Sequence, residues 1–547
     1  MMNIKVGGIR MVIEGNKLLL VSLSNIQNFI SNARKTKDLY KGSTIVKDMI
    51  LELQTMLLDL QKELEIEVDG NQYKCSFQIL DGIEEEQGTV PNFLLYKIKW
   101  FWKTKQEWEE EFEENQMIEE ILYKKLGEKI KEKRNKIFFP YDVIPYIVIE
   151  NLEDNYKEAY INIHRRLQAH KNNGILVKHL FSETQNSSND LVKEQHICSL
   201  CGIRYGTEQE EEVNKTEDES KNKSNKEYLC SECKKRRDYK KEKDQDCESE
   251  EEKNFPSVDV FAKLGSVRKT HYAIIRADID NMGKKMSQAD TEVENNNCDL
   301  WEAQQKLKKF LFEFSKEIVH IVSDIDKEHR LLIYAGGDDM LFFCPLNKII
   351  PTLEKMELAL NEKWKKYTYE DSKITMSKCV TIVHKNVPLK RVMQLSKMYL
   401  EETKNYCFKE NKKTKNKIGF LLITSGYEQI FSVIEKKNFT IVKEILDALQ
   451  HKKFSRTFFY QLEKSILPFG EEFSNSEIIL EEIIRNEIKR ILYRKCNCQE
   501  EDKYQLEKKF RALYSSFKVT DKRGVRQNLN YFFNLLHILD KWYTEIK

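Results

Sequence analysis

Four aspartates stand in two short runs that could act together, Asp278-Ile279-Asp280, with Gly283 shortly after it, and Gly336-Gly337-Asp338-Asp339. The first run closes an apolar stretch, His271 to Ala277, suited to a strand. The second falls between two short apolar stretches, Leu331 to Ala335 and Leu341 to Cys344, which is the layout of a β-hairpin. If that strand lies beside that hairpin, the carboxylates converge. Like charges gathered in one place repel and resist burial unless cations neutralise them, and hard oxygen ligands suit Mg²⁺ or Mn²⁺. Two such ions about 4 Å apart can activate a hydroxyl and stabilise charge on an α-phosphate and its pyrophosphate leaving group. The chemistry expected is nucleotidyl transfer from ATP. Gly336 and Gly337 leave room for a base or ribose near the backbone. Gly-Gly-Asp-Asp alone is an ordinary turn composition. The companion Asp-x-Asp-x-x-Gly (Asp278, Asp280, Gly283) at a strand end is what makes it a site.

The surrounding elements would have to place these residues. After the first strand comes a helix with Leu307, Phe310, Leu311, Phe314 and Ile318 on one face, then the hairpin, a helix over Pro351 to Lys365, a strand over Thr375 to Val383 and a helix over Leu389 to Thr403. That order is β-α-β-β-α-β, the ferredoxin-like arrangement, in which the first strand sits beside the hairpin.

A second constellation is made of sulfur. Cys198-x-x-Cys201 and Cys230-x-x-Cys233 are two chelating knuckles separated by 28 residues, a spacing that suits one tetrahedral Zn²⁺. Four thiolates leave no open position for water, so the expected role is structural. Cys496-x-Cys498 has no second pair near it in the sequence and is read as ordinary thiols. Lys234-Lys235-Arg236-Arg237 could meet RNA phosphates or be a solvated charge run.

Length and composition frame the rest. The chain has 547 residues, 33% charged and 40% hydrophobic, with 8 Pro and 19 Gly, which describes several helix-rich domains with charged surfaces. Its 91 Lys and Arg nearly cancel 89 Asp and Glu, so any nucleic-acid contact must be local. Twelve cysteines without a secretion signal, and no apolar run of membrane-spanning length, predict a cytoplasmic protein with no membrane contact. Leu18 to Leu23 reads as a strand, Ser24-Asn25 as a turn, and a helix follows through Phe29, Ala33 and Arg34, with a second after Gly42-Ser43. Residues 102 to 135 read as solvated helices and Ile144 to Ile149 as a strand. Glu208 to Lys226 and Lys240 to Lys253 read as flexible charged loops. Ser476 to Tyr493 and Leu529 to Leu539 are amphipathic and suggest a helical C-terminal domain.

At this point the motifs become specific. Tyr334-Ala335-Gly336-Gly337-Asp338-Asp339 and Ala277-Asp278-Ile279-Asp280-Asn281-Met282-Gly283 resemble the second palm domain of the polymerase/cyclase large subunit of type III CRISPR effector complexes. Gln27-Asn28-Phe29-Ile30, Ala33-Arg34-Lys35-Thr36, Asp38-Leu39-Tyr40 and Gly42-Ser43 resemble the first palm of the Cmr (type III-B) branch. The resemblance implies an α+β chain with two ferredoxin-like palm domains (1–190 and 257–425), a zinc-binding module between them (191–256) and a C-terminal α-helical domain (426–547). It implies a subunit held with other Cmr subunits and a guide RNA, activated by target RNA, that polymerises ATP into a cyclic oligoadenylate second messenger in antiviral defence.

By the same resemblance the metal set is Asp278, Ile279, Asp338 and Asp339, with Asp278, Asp338 and Asp339 catalytic. Nucleotide contacts would come from Ser22, Gln27, Asp280, Gly283, Gly336, Gly337, Ser377 and Lys404. Two departures stand out. The chain contains no His-Asp dipeptide and begins directly at the first palm, so single-stranded DNase activity is not expected. The strand that often reads Ser-x-Gly is Ser377-Lys378-Cys379 here, which leaves the acceptor open between a second ATP and S-adenosylmethionine, the latter giving an AMP conjugate. A stand-alone diguanylate-type cyclase and a silent RNA-binding scaffold are the competing readings. The first palm and the zinc module argue against one, and the gathered aspartates against the other.

Overall fold

A computed structural model describes residues 11–68, 71–81, 93–104, 111–133, 140, 143, 145–152, 155–173, 197–201, 204, 206, 208–213, 224–239, 256–287, 300–367, 373–406, 415–472, 477–496, 498–517 and 525–547. Two compact units divide the chain: Met1–Glu251 with Gly283–Phe312, and Glu252–Met282 with Glu313–Lys547. The Lys240–Lys253 stretch and Gly7-Gly8 lie outside the described residues.

In the first unit, β1 (Met11–Leu23) is longer than its apolar run and ends where Asn25 takes a left-handed φ of 58°. Two helices follow, α1 (Ile26–Ser31) and α2 (Thr36–Glu63). The first stops short of Ala33 and Arg34, and the second begins at Thr36 rather than after Gly42-Ser43, because the Asp38 carboxylate accepts from the backbone N–H of Arg34 and of Lys35 and caps it there. A small hairpin, β2 (Glu65–Val68) and β3 (Asn71–Lys74), leads to β4 (Ser76–Asp81) and β5 (Phe93–Thr104). Helix α3 (Glu111–Lys133), β6 (Pro145–Asn151) and α4 (Tyr156–Asn173) complete a four-stranded antiparallel sheet in the order β4-β5-β1-β6. Leaving out the small β2–β3 hairpin, this is the ferredoxin-like order, with the first strand between the last strand and the hairpin.

The stretch expected to be a charged loop between the cysteine knuckles instead pairs as a hairpin, β7 (Glu208–Val213) with β8 (Ser224–Leu229), followed by helix α5 (Ser231–Asp238). Composition misled here: the backbone pairs Glu211 with Lys226 across the hairpin.

The second unit opens with the short helix α6 (Val258–Lys263) and β9 (His271–Ile279). The short helix α7 (Met282–Ser287) begins at its boundary with the first unit, and helix α8 (Leu300–Ser323) runs from the first unit into the second. Then come β10 (Leu332–Gly336) and β11 (Asp339–Cys344), α9 (Ile349–Tyr367), β12 (Met376–His384) and α10 (Leu389–Asn405). The strand order β10-β11-β9-β12 repeats that of the first sheet and is extended by β13 (Lys417–Ile423), parallel to β12, and β14 (Gln429–Glu435). Five further helices follow: α11 (Phe439–Gln450), α12 (Thr457–Glu472), α13 (Glu477–Lys495), α14 (Glu500–Ser516) and α15 (Val525–Ile546). Phe454, Phe458, Phe459, Phe510 and Phe532 form their buried aromatic core. Trp542 of α15 donates to the Leu346 carbonyl, and Asn534 to that of Phe431. Among the described residues no helix is long and apolar enough to cross a membrane.

Candidate active site

The register of the second sheet brings the two aspartate runs together. Asp278 of β9 lies opposite Asp339 of β11 on one side and Ser377 of β12 on the other. Gly336 pairs with Asp339, so Gly337 and Asp338 make a two-residue hairpin loop. Gly337 has φ +66° and Asp338 does not take a positive φ, the sign pattern of a type II′ turn, which calls for glycine at its first position. The Asp338 carbonyl accepts from the Ile279 N–H at 2.9 Å, fastening the turn to the end of β9.

Three carboxylates therefore share this end of the sheet. Burial pushes Asp278 up to about 7; Lys404 opposes the rise, and the charges of Asp338 and Asp339 add to it. Asp338 is raised by burial and by Asp339. Asp339, nearly buried, is raised by burial against the pull of Arg276. Carboxylates this poorly neutralised invite a cation. Among the described residues only the four cysteines bring three or more ligand atoms within 4.8 Å of one another. The ligand atoms of the three aspartates therefore do not all lie within 4.8 Å of one another.

Lys404 stands in the last turn of α10, and its Nζ lies 3.1 Å from Asp278 Oδ2 and 3.1 Å from Glu401 Oε1. Sequence reasoning missed the support behind Asp339. Arg276, 1% exposed, donates from Nη1 to the Tyr334 hydroxyl at 3.2 Å, which donates to Asp339 Oδ2 at 2.9 Å. The signal was present: an arginine inside the apolar run of β9 has to have a buried counterpart.

Asp280 and Ser377 do not join the three aspartates. Asp280, 2% exposed, accepts from Thr375 Oγ1 at 2.8 Å, from Ser377 Oγ at 2.7 Å and from the Asn416 N–H at 2.8 Å. Ser377 is fully buried, as is Cys379, which stands where the resembling strand carries glycine. Asp280 thus braces β9 to β12 and to the entry of β13. Gly283 is the second residue of α7, with nothing within 4 Å of where a Cβ would sit. In the first unit, Ser22 is buried at the end of β1 and accepts from Lys171 Nζ at 2.9 Å, and Gln27 is half-buried on α1.

The comparisons meet this geometry at the second sheet. Residues 271–418 match the family model described as Cas10/Cmr2, second palm domain. Strands β9 to β12 with their helices are thus similar to a Cas10/Cmr2 second palm. Among solved structures, a chain of type III-B Cmr-beta in its apo state is 13% identical, aligned over 96% of this chain and 82% of its own, with a TM-score of 0.56. A chain of Cmr-beta bound to cognate target RNA is 12% identical over 96% and 83%, with a TM-score of 0.51. At such identity the likeness is one of fold. No curated protein matches the chain. The matched palm runs from the first residue of β9 into β13, so it contains Asp278, Asp338, Asp339 and Lys404.

The cysteines form a separate centre. Cys198, Cys201, Cys230 and Cys233 are all buried and their sulfurs lie within 4.8 Å of one another, a set compatible with structural zinc. Arg236 and Arg237, which follow the last knuckle, do not face solvent or RNA. Arg237 forms a fork on Asp38 at 3.0 and 3.1 Å and reaches Glu227 at 2.5 Å. Arg236 donates to the carbonyls of Asn32 and Asp38 at 3.0 and 2.9 Å and lies over the Phe29 ring. A Cβ on Gly42 would come 2.7 Å from Arg236 Nη2, which explains the glycine in the middle of a helix. The Asp38 to Gly42 motif thus anchors the cysteine module. Cys496 is buried and Cys498 half-buried, and they belong to no such cluster among the described residues.

Proposed function

We propose that the chain is the nucleotidyl-transferring large subunit of a type III-B effector complex, working with other subunits, guide RNA and target RNA, and making a nucleotide second messenger from ATP. The convergence of Asp278, Asp338 and Asp339 at one end of a sheet similar to a Cas10/Cmr2 palm carries this reading. The fold likeness to Cmr-beta supports the choice of complex.

Asp278, Asp338 and Asp339, with the Ile279 backbone, would hold the divalent cations, which when bound polarise the α-phosphate and favour ionisation of the attacking hydroxyl. In the transfer the acceptor oxygen forms a bond to the α-phosphorus, the bond to the β-phosphate oxygen breaks, pyrophosphate leaves, and the hydroxyl proton passes to solvent. Lys404 offers the triphosphate an ammonium placed by the last turn of α10. Arg276 and Tyr334 hold one Asp339 oxygen, fixing how its carboxylate is turned. Gly336 and Gly337 leave Asp338 as the one side chain of the turn. The cysteine module would hold zinc and secure the first ferredoxin-like domain through Arg236 and Arg237.

The test is product formation from ATP and Mn²⁺ by the assembled, RNA-loaded complex. Asp338→Ala with Asp339→Ala is expected to abolish product while the complex still assembles. Undiminished product in that variant would remove the site assignment.

A further inference from the structure

Nine cysteines lie among the described residues, and all of these are buried except Cys498, which is half-buried. Cys498 stands between two helices of the C-terminal region. Cys496 follows the last residue of α13, and its N–H donates to the Leu492 carbonyl at 2.9 Å. Gln499, next after Cys498, is the N-cap of α14. The short connection between the helices therefore carries both sulfurs of the Cys496-x-Cys498 run, and it brings them into contact. The Cys496 S–H donates to the Cys498 sulfur.

The two sulfurs differ in what can reach them. Cys496 is 5% exposed, and burial first, then the charge of Cys498 and the bond to it, pushes its thiol up to about 12. It keeps its proton and meets no reagent from outside. Cys498 is open to one. Two ammoniums act on this turn, Lys503 on both sulfurs and Lys453 on Cys498. Each also has a carboxylate of α14, Glu500 for Lys503 at 3.1 Å and Asp502 for Lys453 at 2.7 Å. Access, more than charge, thus sets Cys498 apart. A reagent that takes Cys498 finds a second thiol already touching the modified sulfur, and a reaction between groups held together needs no encounter.

We propose that Cys498 and Cys496 form a reversible disulfide between α13 and α14, with Cys498 as the entry sulfur and a low-molecular-weight disulfide as the oxidant. The Cys498 thiolate attacks one sulfur of the reagent, the reagent's S–S bond breaks, and the displaced thiolate takes up a proton. The Cys496 sulfur gives its proton to solvent, attacks Cys498 and displaces the second reagent thiol. The two cysteines are oxidised by two electrons and the reagent is reduced to two thiols, and excess thiol runs both steps backwards. The new bond ties the end of α13 to the start of α14.

The experiment is peptide mapping by mass spectrometry of the full chain, purified without chelator, after incubation with oxidised glutathione and alkylation of the remaining thiols. Wild type is expected to lose two hydrogens from the peptide that holds Cys496 and Cys498, with no glutathione retained there, and to recover both thiols after dithiothreitol. Cys496→Ser should stop at a glutathione adduct on Cys498. Cys498→Ser should leave Cys496 unmodified in the folded chain and open to modification once urea unfolds it, which ties the protection to burial. A glutathione adduct that persists on Cys498 of wild type, no reaction at either sulfur, or a Cys496 that reacts as fast in folded Cys498→Ser as in urea overturns the proposal. The wild-type map needs no substitution, so a variant that fails to fold leaves the test standing.

Discussion

The two ferredoxin-like sheets share strand order, register and a lysine at the same place on the last helix, yet only one presents carboxylates at the end of its central strands. Topology, then, supplies a place and not a chemistry. Where β9 and β11 put Asp278 and Asp339 face to face, β1 and β5 put Ser22 and Phe93. The supports differ in the same sense. The second sheet keeps a buried Arg276 and Tyr334 behind its aspartates and Asp280 as a brace, whereas the first is secured by Arg236 and Arg237 from the cysteine module.

The largest effect should come from removing the carboxylates. Asp338→Ala with Asp339→Ala is expected to lower product formation by a thousandfold or more, on the order of what preorganised charge contributes to catalysis. Ser22→Ala in the first sheet should cost far less in the same product assay. Equal losses would mean the sheets do not divide their labour.

Next in size is the anchor of the first sheet. Arg237→Ala removes the guanidinium that Asp38 and Glu227 share, leaving Glu227 its ion pairs with Arg34 and Lys35 and Asp38 its two backbone N–H groups, and should destabilise the first unit by about 1–3 kcal/mol, read by chemical denaturation. The unfolding of the second unit should stay where it is.

A pH series tests the charge imbalance of the second sheet directly. Asp278 sits near 7 in the folded chain, chiefly through burial, against an ordinary carboxyl value of 3.8. The folded state therefore keeps a proton that the unfolded chain has released, so metal-free stability should fall as pH climbs between those values. Asp278→Asn should flatten that slope in calorimetry, and Mn²⁺ should flatten it by occupying the carboxylates.

Lys404→Ala should then lower product formation by about ten- to a hundredfold with the fold intact, the scale of one or two charge-assisted contacts. A loss no larger than that of an exposed lysine such as Lys327 would mean that Lys404 does not meet the triphosphate.

The smallest change is Gly42→Ala, which crowds Arg236 and should cost about 1–3 kcal/mol by denaturation, the range for overpacking.

The sequence made some of this legible and not the rest, for physical reasons. The β-α-β-β-α-β order, the Gly-Asp hairpin and the paired CxxC knuckles are local signals, since period and turn chemistry are written within a few residues of one another. Arg236, Arg237, Lys171 and Arg276 were misread or missed because their partners are remote in the chain: Asp38 for Arg237, Ser22 for Lys171, Tyr334 for Arg276. A charged residue inside an apolar strand, as Arg276 is, is the one sequence cue that could have prompted a search for such a partner. Asp280 shows the converse. The family resemblance implied a nucleotide contact for it, and only the packed structure shows that its oxygens are taken up by Thr375, Ser377 and the Asn416 N–H.

The most direct test of the central claim is mass spectrometry of what the assembled complex makes from ATP, Mn²⁺, guide RNA and target RNA, with and without S-adenosylmethionine, while pyrophosphate and phosphate release are counted. Products that retain the α-phosphate are expected, either rings of AMP or an AMP conjugate that needs S-adenosylmethionine, with pyrophosphate released for every bond formed. Release of inorganic phosphate alone, or no product under any of these conditions, would contradict it.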